Sequence, residues 1–230
     1  MKLSIIIPTL NEESMLKALL LKLSQFEEEK EIIVADGGSY DNTLELAEAL
    51  GAKTIVCKES NRGDQLSQGA SSATGDWFLF LHADSKLQDN WSCLISKAIS
   101  ENGAENKAWF FNFKVNLKGL HFRLLELGVY LRSYFLQRPY GDQGLLIARS
   151  LYNELGGFSK IPLMEDLEFA IRISDKSGFK SLGNGIETDG RKWHGKNMLL
   201  IALKNLNLRK RWREGEDPRK LFNEYYKHIE

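Results

Sequence analysis

Short apolar runs alternate with stretches of helical polarity through the first half of the chain. Leu3 to Ile7 reads as a continuous β-branched run, as expected of a parallel strand buried on both faces. Glu31 to Ala35, Lys53 to Val56 and Trp77 to Leu81 predict three further strands. Helical stretches separate them. Asn11 caps the first, with Glu12 and Glu13 placed favourably against the helix dipole. Asn42 with Glu45 resembles a capping box, and that helix runs to Gly51 as its C′ residue. Gly63 to Thr74 is a third helix, closed by Gly75. Asn90 to Ser100 is a fourth, with Trp91, Leu94, Ile95, Ala98 and Ile99 on one face. This strand–helix alternation implies a mostly parallel, doubly wound α/β sheet.

The second half is less regular. Ala108 to Leu117 alternates like a strand. Leu120 to Leu136 has helical spacing, with Leu124, Leu127, Leu131 and Phe135 apolar and Arg123 and Arg132 interspersed. Gly144 to Ala148 is a short strand, Glu165 to Ser177 a helix opening on acids, and Lys180 to Glu187 an extended segment. Asn197 to Trp212 and Pro218 to His228 read as C-terminal helices. No repeat, low-complexity tract or long linker interrupts the chain. One domain over 1–230 with a helical C-terminal appendage is the simplest account.

Composition narrows the class. The 230 residues are 43% hydrophobic, enough for a sizeable core. The 31 basic residues balance 31 acidic ones, so no overall field selects nucleic acid or anionic lipid, and nucleic acid is excluded as a partner. Cys57 and Cys93 lie 36 apart, without metal or redox spacing, and read as free thiols in a reducing compartment. Pro8 stops the N-terminal apolar run too early for a signal peptide. No apolar stretch approaches the roughly 18 residues of a membrane span. The expectation is a soluble cytoplasmic protein, able to touch the inner face of a membrane peripherally. Oligomeric state is not legible.

Candidate chemistry gathers at strand ends. Pro8-Thr9-Leu10-Asn11-Glu12-Glu13 follows the first strand, Asp36-Gly37-Gly38-Ser39 the second, Asn61-Arg62-Gly63-Asp64-Gln65 the third and His82-Ala83-Asp84 the fourth. Each alone reads as an ordinary cap, turn or solvated loop. In a parallel sheet all four converge on one edge, where open α/β sheets bind ligands. The set suits a nucleoside diphosphate. Asp36 can accept from a ribose hydroxyl or base N–H, and Gly37 and Gly38 permit close backbone approach. Arg62 offers a fork of donors to pyrophosphate. Asp84 suits a divalent ion bridging two phosphates, although alone it reads equally well as a cap of the next turn. A P-loop and a Gly-x-Gly-x-x-Gly loop after the first strand are both missing, which argues against a P-loop ATPase and a dinucleotide-binding oxidoreductase.

Ile5-Ile6-Ile7-Pro8-Thr9-Leu10-Asn11-Glu12-Glu13, Ala35-Asp36-Gly37-Gly38-Ser39 and His82-Ala83-Asp84 resemble glycosyltransferase family 2, with its GT-A fold. Residues 61–70, 79–84 and 139–144 narrow the resemblance to the bacterial radical-SAM/selenodomain-associated transferases. The resemblance implies a Rossmann-like sheet flanked by helices. Residues 1–117 would form the nucleotide-sugar half, and residues 118–230 the acceptor half with the C-terminal helices. It implies that Pro8, Thr9, Asn11, Glu12, Asp36 and Arg62 line the nucleotide site, with Gly38, Ser39, Gln65 and Ala83 beside them. His82-Ala83-Asp84 stands where the family has Asp-x-Asp. Asp84 is the implied ligand of Mn²⁺ or Mg²⁺. His82 replaces the first acid and is read as a neutral histidine near the ribose rather than a metal ligand, since these ions prefer oxygen.

Met164-Glu165-Asp166-Leu167-Glu168 looks like the family's Glu-Asp motif, although acids in a first helical turn are common without function. The resemblance makes Asp166 the general base of an inverting sugar transfer from a nucleotide-diphospho-sugar, with Glu165 beside it or on the acceptor. Asp142, a rival base, sits with Gln143 in a loop better suited to positioning sugar or acceptor. Arg191 and Trp193, separated by Lys192, match loosely the family's Arg-Trp clamp over the diphosphate. Arg209-Lys210-Arg211-Trp212-Arg213, next to Leu199, Leu200, Leu203, Leu206 and Leu208, reads either as a solvated helix end packed on the core or as a membrane contact. The acceptor, a lipid or a saccharide, is not named by the sequence. A non-catalytic nucleotide-sugar binder is the alternative from another class. A nucleotidyltransferase is disfavoured by Pro8-Thr9-Leu10-Asn11 after the first strand.

Overall fold

The structure is a computed structural model that describes residues 1–115, 119–187 and 198–226. Its main sheet comprises β1 (Leu3–Thr9), β2 (Lys30–Asp36), β3 (Lys53–Val56), β4 (Trp77–Phe80), β6 (Ala108–Phe111), β7 (Leu145–Ala148) and β8 (Phe179–Gly183), in the order β3-β2-β1-β4-β7-β6-β8. A small antiparallel pair joins β5 (Lys86–Leu87) to β9 (Ile186–Glu187). The helices are α1 (Glu13–Ser24), α2 (Thr43–Ala49), α3 (Arg62–Ser72), α4 (Trp91–Ile99), α5 (Leu120–Phe135), α6 (Arg149–Glu154), α7 (Glu165–Lys176), α8 (Met198–Arg213) and α9 (Pro218–Tyr226).

Strand β1 runs parallel to β2 and β4 on either side, and its three isoleucines are fully buried. Its one interior polar residue, Ser4, is satisfied: the hydroxyl donates to Glu31 Oε1 (2.6 Å) and accepts from Gly75 N (2.9 Å). Burial works against the Glu31 charge, but donors from Ser4 and Thr74, with Lys2 nearby, bring its carboxyl down to about 2.

The sheet is mostly parallel, as expected, with one exception. β7 runs antiparallel to both β4 and β6. Leu145 at the start of β7 therefore pairs with Phe80 at the end of β4. The residues leading into β7, Pro139 to Gly144, thus reach the same edge as the C-terminal ends of β1, β2 and β4. That reversal brings the second half of the chain to the ligand edge.

Several local expectations need correction. Asn11 does not cap α1: it has φ +56, and the helix begins two residues later, after Glu12. Caps come from the loop after β2 instead. Asn11 N donates to Ser39 Oγ, Glu12 N to Thr43 Oγ1 and Glu13 N to Asp41 Oδ2. The Asn42–Glu45 capping box does not form. Asp41 accepts from Thr43 N, and Asn42 Nδ2 reaches Glu13 Oε1. Gly51, at φ +80, does end α2 as expected. The strand expected over 108–117 shortens to β6, with Leu117 outside the described residues. Lys180 to Glu187 divides into β8 and β9, which belong to different sheets, around Gly183 at φ +95. β5 and α6 were not legible as elements.

Two glycines test the packing in opposite directions. A Cβ at Gly63 would overlap the carbonyl oxygen of Ser159 and sit 2.6 Å from that of Ile161, both backbone atoms. Gly63→Ala should therefore cost about 1–3 kcal/mol in urea unfolding. Gly128 is exposed within α5, with nothing within 4 Å of an added Cβ. Gly128→Ala should stabilise by about 0.5–1 kcal/mol in the same assay.

Candidate active site

The edge formed by β1, β2 and α3 is stitched by buried polar groups. Asp36 is fully buried, and its carboxylate accepts four hydrogen bonds: Oδ1 from Gly38 N (2.8 Å) and Ser39 N (2.7 Å), Oδ2 from Thr9 Oγ1 (2.9 Å) and Ser39 Oγ (2.5 Å). Gln65 Nε2 donates to both Thr9 O and Ala35 O, at 2.8 Å each, joining the ends of β1 and β2 to α3. Asp36, Thr9 and Gln65 thus form a rigid wall. Asp36 in this conformation holds its own turn and does not present a carboxylate outward. Gly38 (φ +97), Ser39, Asn11 and Glu12 are the more accessible members of the same edge.

Opposite this wall, α7 brings two acids to the edge. Glu165 is fully buried, and its Oε1 accepts from Arg62 Nε. Its Oε2 is buried with no hydrogen-bond partner among the described residues. Burial pushes the Glu165 carboxyl up to about 7; the Arg62 charge opposes that rise and the neighbouring Asp166 adds to it. Asp166 is one-fifth exposed, with Oδ2 3.9 Å from Arg62 Nη2. Oδ1 accepts from Leu167 N (2.7 Å) and Oδ2 from Gly141 N (3.1 Å). A Cβ at Gly141 would lie 2.6 Å from His82 Nε2 and 3.6 Å from Asp166 Oδ2. A larger residue here would require the His82 imidazole to shift. His82, Gly141, Glu165 and Asp166 consequently line one cleft with Tyr140, over an apolar floor that includes Phe80, Leu81 and Phe158.

β4 delivers the His82-Ala83-Asp84 segment. Leu81 N still bonds Ile6 O (3.1 Å), and Ser85 N closes a turn onto His82 O (3.1 Å). Ala83 is buried and Asp84 half-buried at the end of this turn. Among the described residues no three His, Cys, Asp or Glu side chains gather as a closed metal cage. A single carboxylate at a strand exit nevertheless fits Mg²⁺ or Mn²⁺, which take most of their oxygen ligands from water and substrate phosphates.

The family model described as Glycosyl transferase family 2 matches residues 4–147, more than half of the sequence. The chain belongs to glycosyl transferase family 2. The PGL/p-HBAD biosynthesis glycosyltransferase of Mycobacterium tuberculosis is 29% identical over 178 residues, covering 74% of this chain and 68% of that protein. The 4,4'-diaponeurosporenoate glycosyltransferase of Staphylococcus haemolyticus is 37% identical over 94 residues, or 38% of this chain and 25% of that one. Among solved structures, S. aureus TarS 1-349 in complex with UDP-GlcNAc aligns with TM-score 0.63 at 19% identity, over 83% of this chain and 59% of that one. Glucosyl-3-phosphoglycerate synthase from M. tuberculosis, in complex with Mn²⁺, UDP and glucosyl-3-phosphoglycerate, aligns with TM-score 0.61 at 19% identity, over 83% and 72%. These structural likenesses establish the GT-A fold.

On this family 2 scaffold the expected residues fall into three groups. Thr9, Asp36, Gln65 and Gln143 are buried and pin backbone. Gln143 Oε1 accepts from Arg132 Nη2, Ser133 Oγ and Tyr140 N, and its Nε2 donates to Phe111 O. Pro8, Asn11, Glu12, Gly38, Ser39, Arg62, His82, Asp84, Asp142 and Asp166 lie at the ligand edge with partial or full exposure. Arg191 and Trp193 lie outside the described residues. Two participants were not singled out from the sequence as cleft residues. The Arg132 guanidinium stacks on Tyr140, 3.5 Å from the ring centroid, and Arg209 Nη1 donates to the Tyr140 hydroxyl (3.0 Å). Burial pushes the Arg132 guanidinium down from its usual range. The signal for Arg132 was present as one of two arginines interspersed in a largely apolar helix.

The Glu165 environment predicts a pH effect on stability. Its carboxyl titrates near 7 when folded and near the model-compound 4.5 when unfolded. Between those values the folded state binds more protons. The stabilisation is therefore complete below pH 4.5 and is lost as pH rises through about 7. Glu165→Gln should remove this dependence. Relative to the variant, wild type should lose up to about 3 kcal/mol across that window, read by urea unfolding at both ends of it.

Proposed function

We propose that this chain is an inverting, metal-dependent glycosyltransferase that moves a sugar from a nucleoside-diphospho-sugar to an acceptor hydroxyl. The reading treats residues 1–230 as one domain, with residues 1–117 as the donor half and 118–230 as the acceptor half, working in the cytoplasm. Within the family we place it in the radical-SAM/selenodomain-associated subgroup, on residues 61–70, 79–84 and 139–144. The observation that carries the function is the position of Asp166. It is the partly exposed acid of α7 that lines the cleft, aimed by Gly141 N and flanked by Arg62, across from the strand ends of the donor half. Solved relatives in complex with UDP, with UDP-GlcNAc, and with Mn²⁺ and UDP together support a similar donor here.

Asp166 takes the proton from the acceptor hydroxyl as that oxygen bonds to the anomeric carbon. The bond from the anomeric carbon to the diphosphate oxygen breaks on the opposite face, and its electron pair leaves with the nucleoside diphosphate. One such displacement inverts the anomeric configuration. Arg62, held through Nε by Glu165, places a fixed positive charge beside the reacting groups. Asp84, with the diphosphate's own oxygens, would hold Mn²⁺ or Mg²⁺, which neutralises charge on the leaving group. Gly38, Ser39, Asn11 and Glu12 are assigned to the nucleoside, and His82 to the ribose or donor sugar. Asp142 and the Tyr140 turn position sugar or acceptor. Thr9, Asp36, Gln65 and Gln143 act through the backbone they hold.

Calorimetric titration with UDP, GDP and their sugars, with and without Mn²⁺, tests the donor site. Binding should require the metal and be lost in Asp84→Ala. Asp166→Asn should keep donor binding while slowing sugar transfer, to acceptor or to water, by about 10²–10⁴-fold. Folded protein that binds no nucleotide, or an Asp166→Asn variant with undiminished turnover, would sink this reading. Donor binding without any turnover would instead favour the non-catalytic binder that the altered His82 position suggests.

A further inference from the structure

Helix α5 is apolar on two opposite faces. Its inner face packs Phe122 and Val129 against Phe113 and Val115. Its outer face carries Leu120, Leu124, Leu127, Leu131 and Phe135, spaced by four, three, four and four residues, and between 46% and 76% exposed. A helix that is apolar all round is normally buried. A contiguous exposed apolar strip marks a surface for another protein or a membrane.

Charge distinguishes these two occupants. The helix's one acid, Glu126, turns inward: its carboxylate accepts from Val115 N (2.9 Å) and from Arg123 Nη1 (2.7 Å). The outer face therefore shows no carboxylate, and its Arg123 is paired with Glu126. α8 carries Lys204, Arg209, Lys210, Arg211 and Arg213 and no acid; Lys210 pairs with Glu214, and Arg211 with Glu216 and Glu224, so Lys204, Arg209 and Arg213 are its cations outside those ion pairs. It also exposes Leu203 and Leu206. Each helix sends an arginine to the cleft: Tyr140, which lines it, lies between Arg132 of α5 and Arg209 of α8. A symmetric pairing of two copies through this face would set the same basic surface against itself. Anionic headgroups complement it instead. Among the described residues no helix is long and apolar enough to cross a membrane, so the fitting geometry is a helix lying in the interface.

We propose that the outer face of α5, with the basic α8 beside it, seats this protein on an anionic lipid surface, so that the cleft at Tyr140 receives an acceptor hydroxyl carried by a lipid. The acceptor part rests on the transferase reading above; the lipid surface does not.

Co-sedimentation with vesicles tests it, using phosphatidylglycerol mixed equally with phosphatidylcholine against phosphatidylcholine alone. Wild type should sediment with the anionic vesicles and at least about tenfold less with the neutral ones, and added salt should weaken binding. The double variant Leu124→Asp/Leu127→Asp should lose vesicle binding while retaining its melting profile and Mn²⁺-dependent UDP binding. Should that variant fail to fold, Lys204→Glu/Arg213→Glu provides the same test on α8, with at least about a tenfold loss expected. Folded wild type that stays in the supernatant overturns the proposal. So does undiminished vesicle binding by a folded variant, or a dimer in sedimentation equilibrium that Leu124→Asp/Leu127→Asp makes monomeric. Vesicle binding by protein that binds no nucleotide would support the surface while removing the transferase reading.

Discussion

The Arg62–Glu165 pair holds the cleft together. Its partners lie 103 residues apart, one at the start of α3 and the other at the start of α7. The Glu165 carboxylate is fully buried, and withdrawing such a group from water costs several kcal/mol that a single guanidinium contact only partly offsets. The pair is therefore poorly explained as a source of stability. It sets position instead, fixing the Arg62 charge 3.9 Å from Asp166. The surrounding chain is built for the same docking. The Gly63 backbone packs against the carbonyls of Ser159 and Ile161, Asn61 Nδ2 donates to Lys160 O (3.2 Å), and Lys160 pairs with Asp64 (3.1 Å). The Asn-Arg-Gly-Asp-Gln stretch thus serves as a clamp between the two halves, with one arginine carried on it.

Buried amides repeat a single solution on either side of the cleft. Where strands end, backbone carbonyls lose their ladder partners and still need donors. Gln65 supplies them to Thr9 and Ala35 on one side, and Gln143 supplies one to Phe111 on the other. Asp36 performs the converse task, absorbing the N–H groups of the Gly38-Ser39 turn. These are polar residues at strand ends, in the positions and of the types that ligand contacts also use. The sequence cannot separate the two uses, because the distinction lies in which backbone groups are left unpaired after folding.

For the same reason the fold was more legible than the site. Leu3–Thr9, Lys53–Val56 and Trp77–Phe80 announce themselves by local composition, and the parallel order of the first four strands follows from connection rules. The reversal of β7 has no local signature: Leu145–Ala148 is apolar whichever way it runs, and pairing with β4 on one side and β6 on the other decides it. Yet that reversal brings Gly141 to Asp166. The caps of α1 have no local signature either, since Ser39 and Asp41 of the loop after β2 and Thr43 at the start of α2 reach it from about thirty residues away. Asp84, Arg62 and Asp166 were recognisable as candidates because motif and strand end coincide there. Arg132 and Arg209 were not placed in the cleft, because only the packing of α5 and α8 around Tyr140 joins them to it.

His82 departs from the Asp-x-Asp pattern, and its surroundings show what the change does to the charge there. Gly141 passes so close that an added Cβ would meet His82 Nε2 at 2.6 Å and Asp166 Oδ2 at 3.6 Å, so the imidazole and this carboxylate face the same turn from two sides. Glu165 is already buried next to Asp166, with Arg62 the cation shared between them. An acid at position 82 would bring a third carboxylate to this small volume, and mutual repulsion would favour protonating one of the three. An imidazole adds no negative charge, whichever of its forms is present. The histidine thus keeps the charge at this turn to the two acids of α7 and Arg62, and Asp84 is the one carboxylate of the His82-Ala83-Asp84 segment.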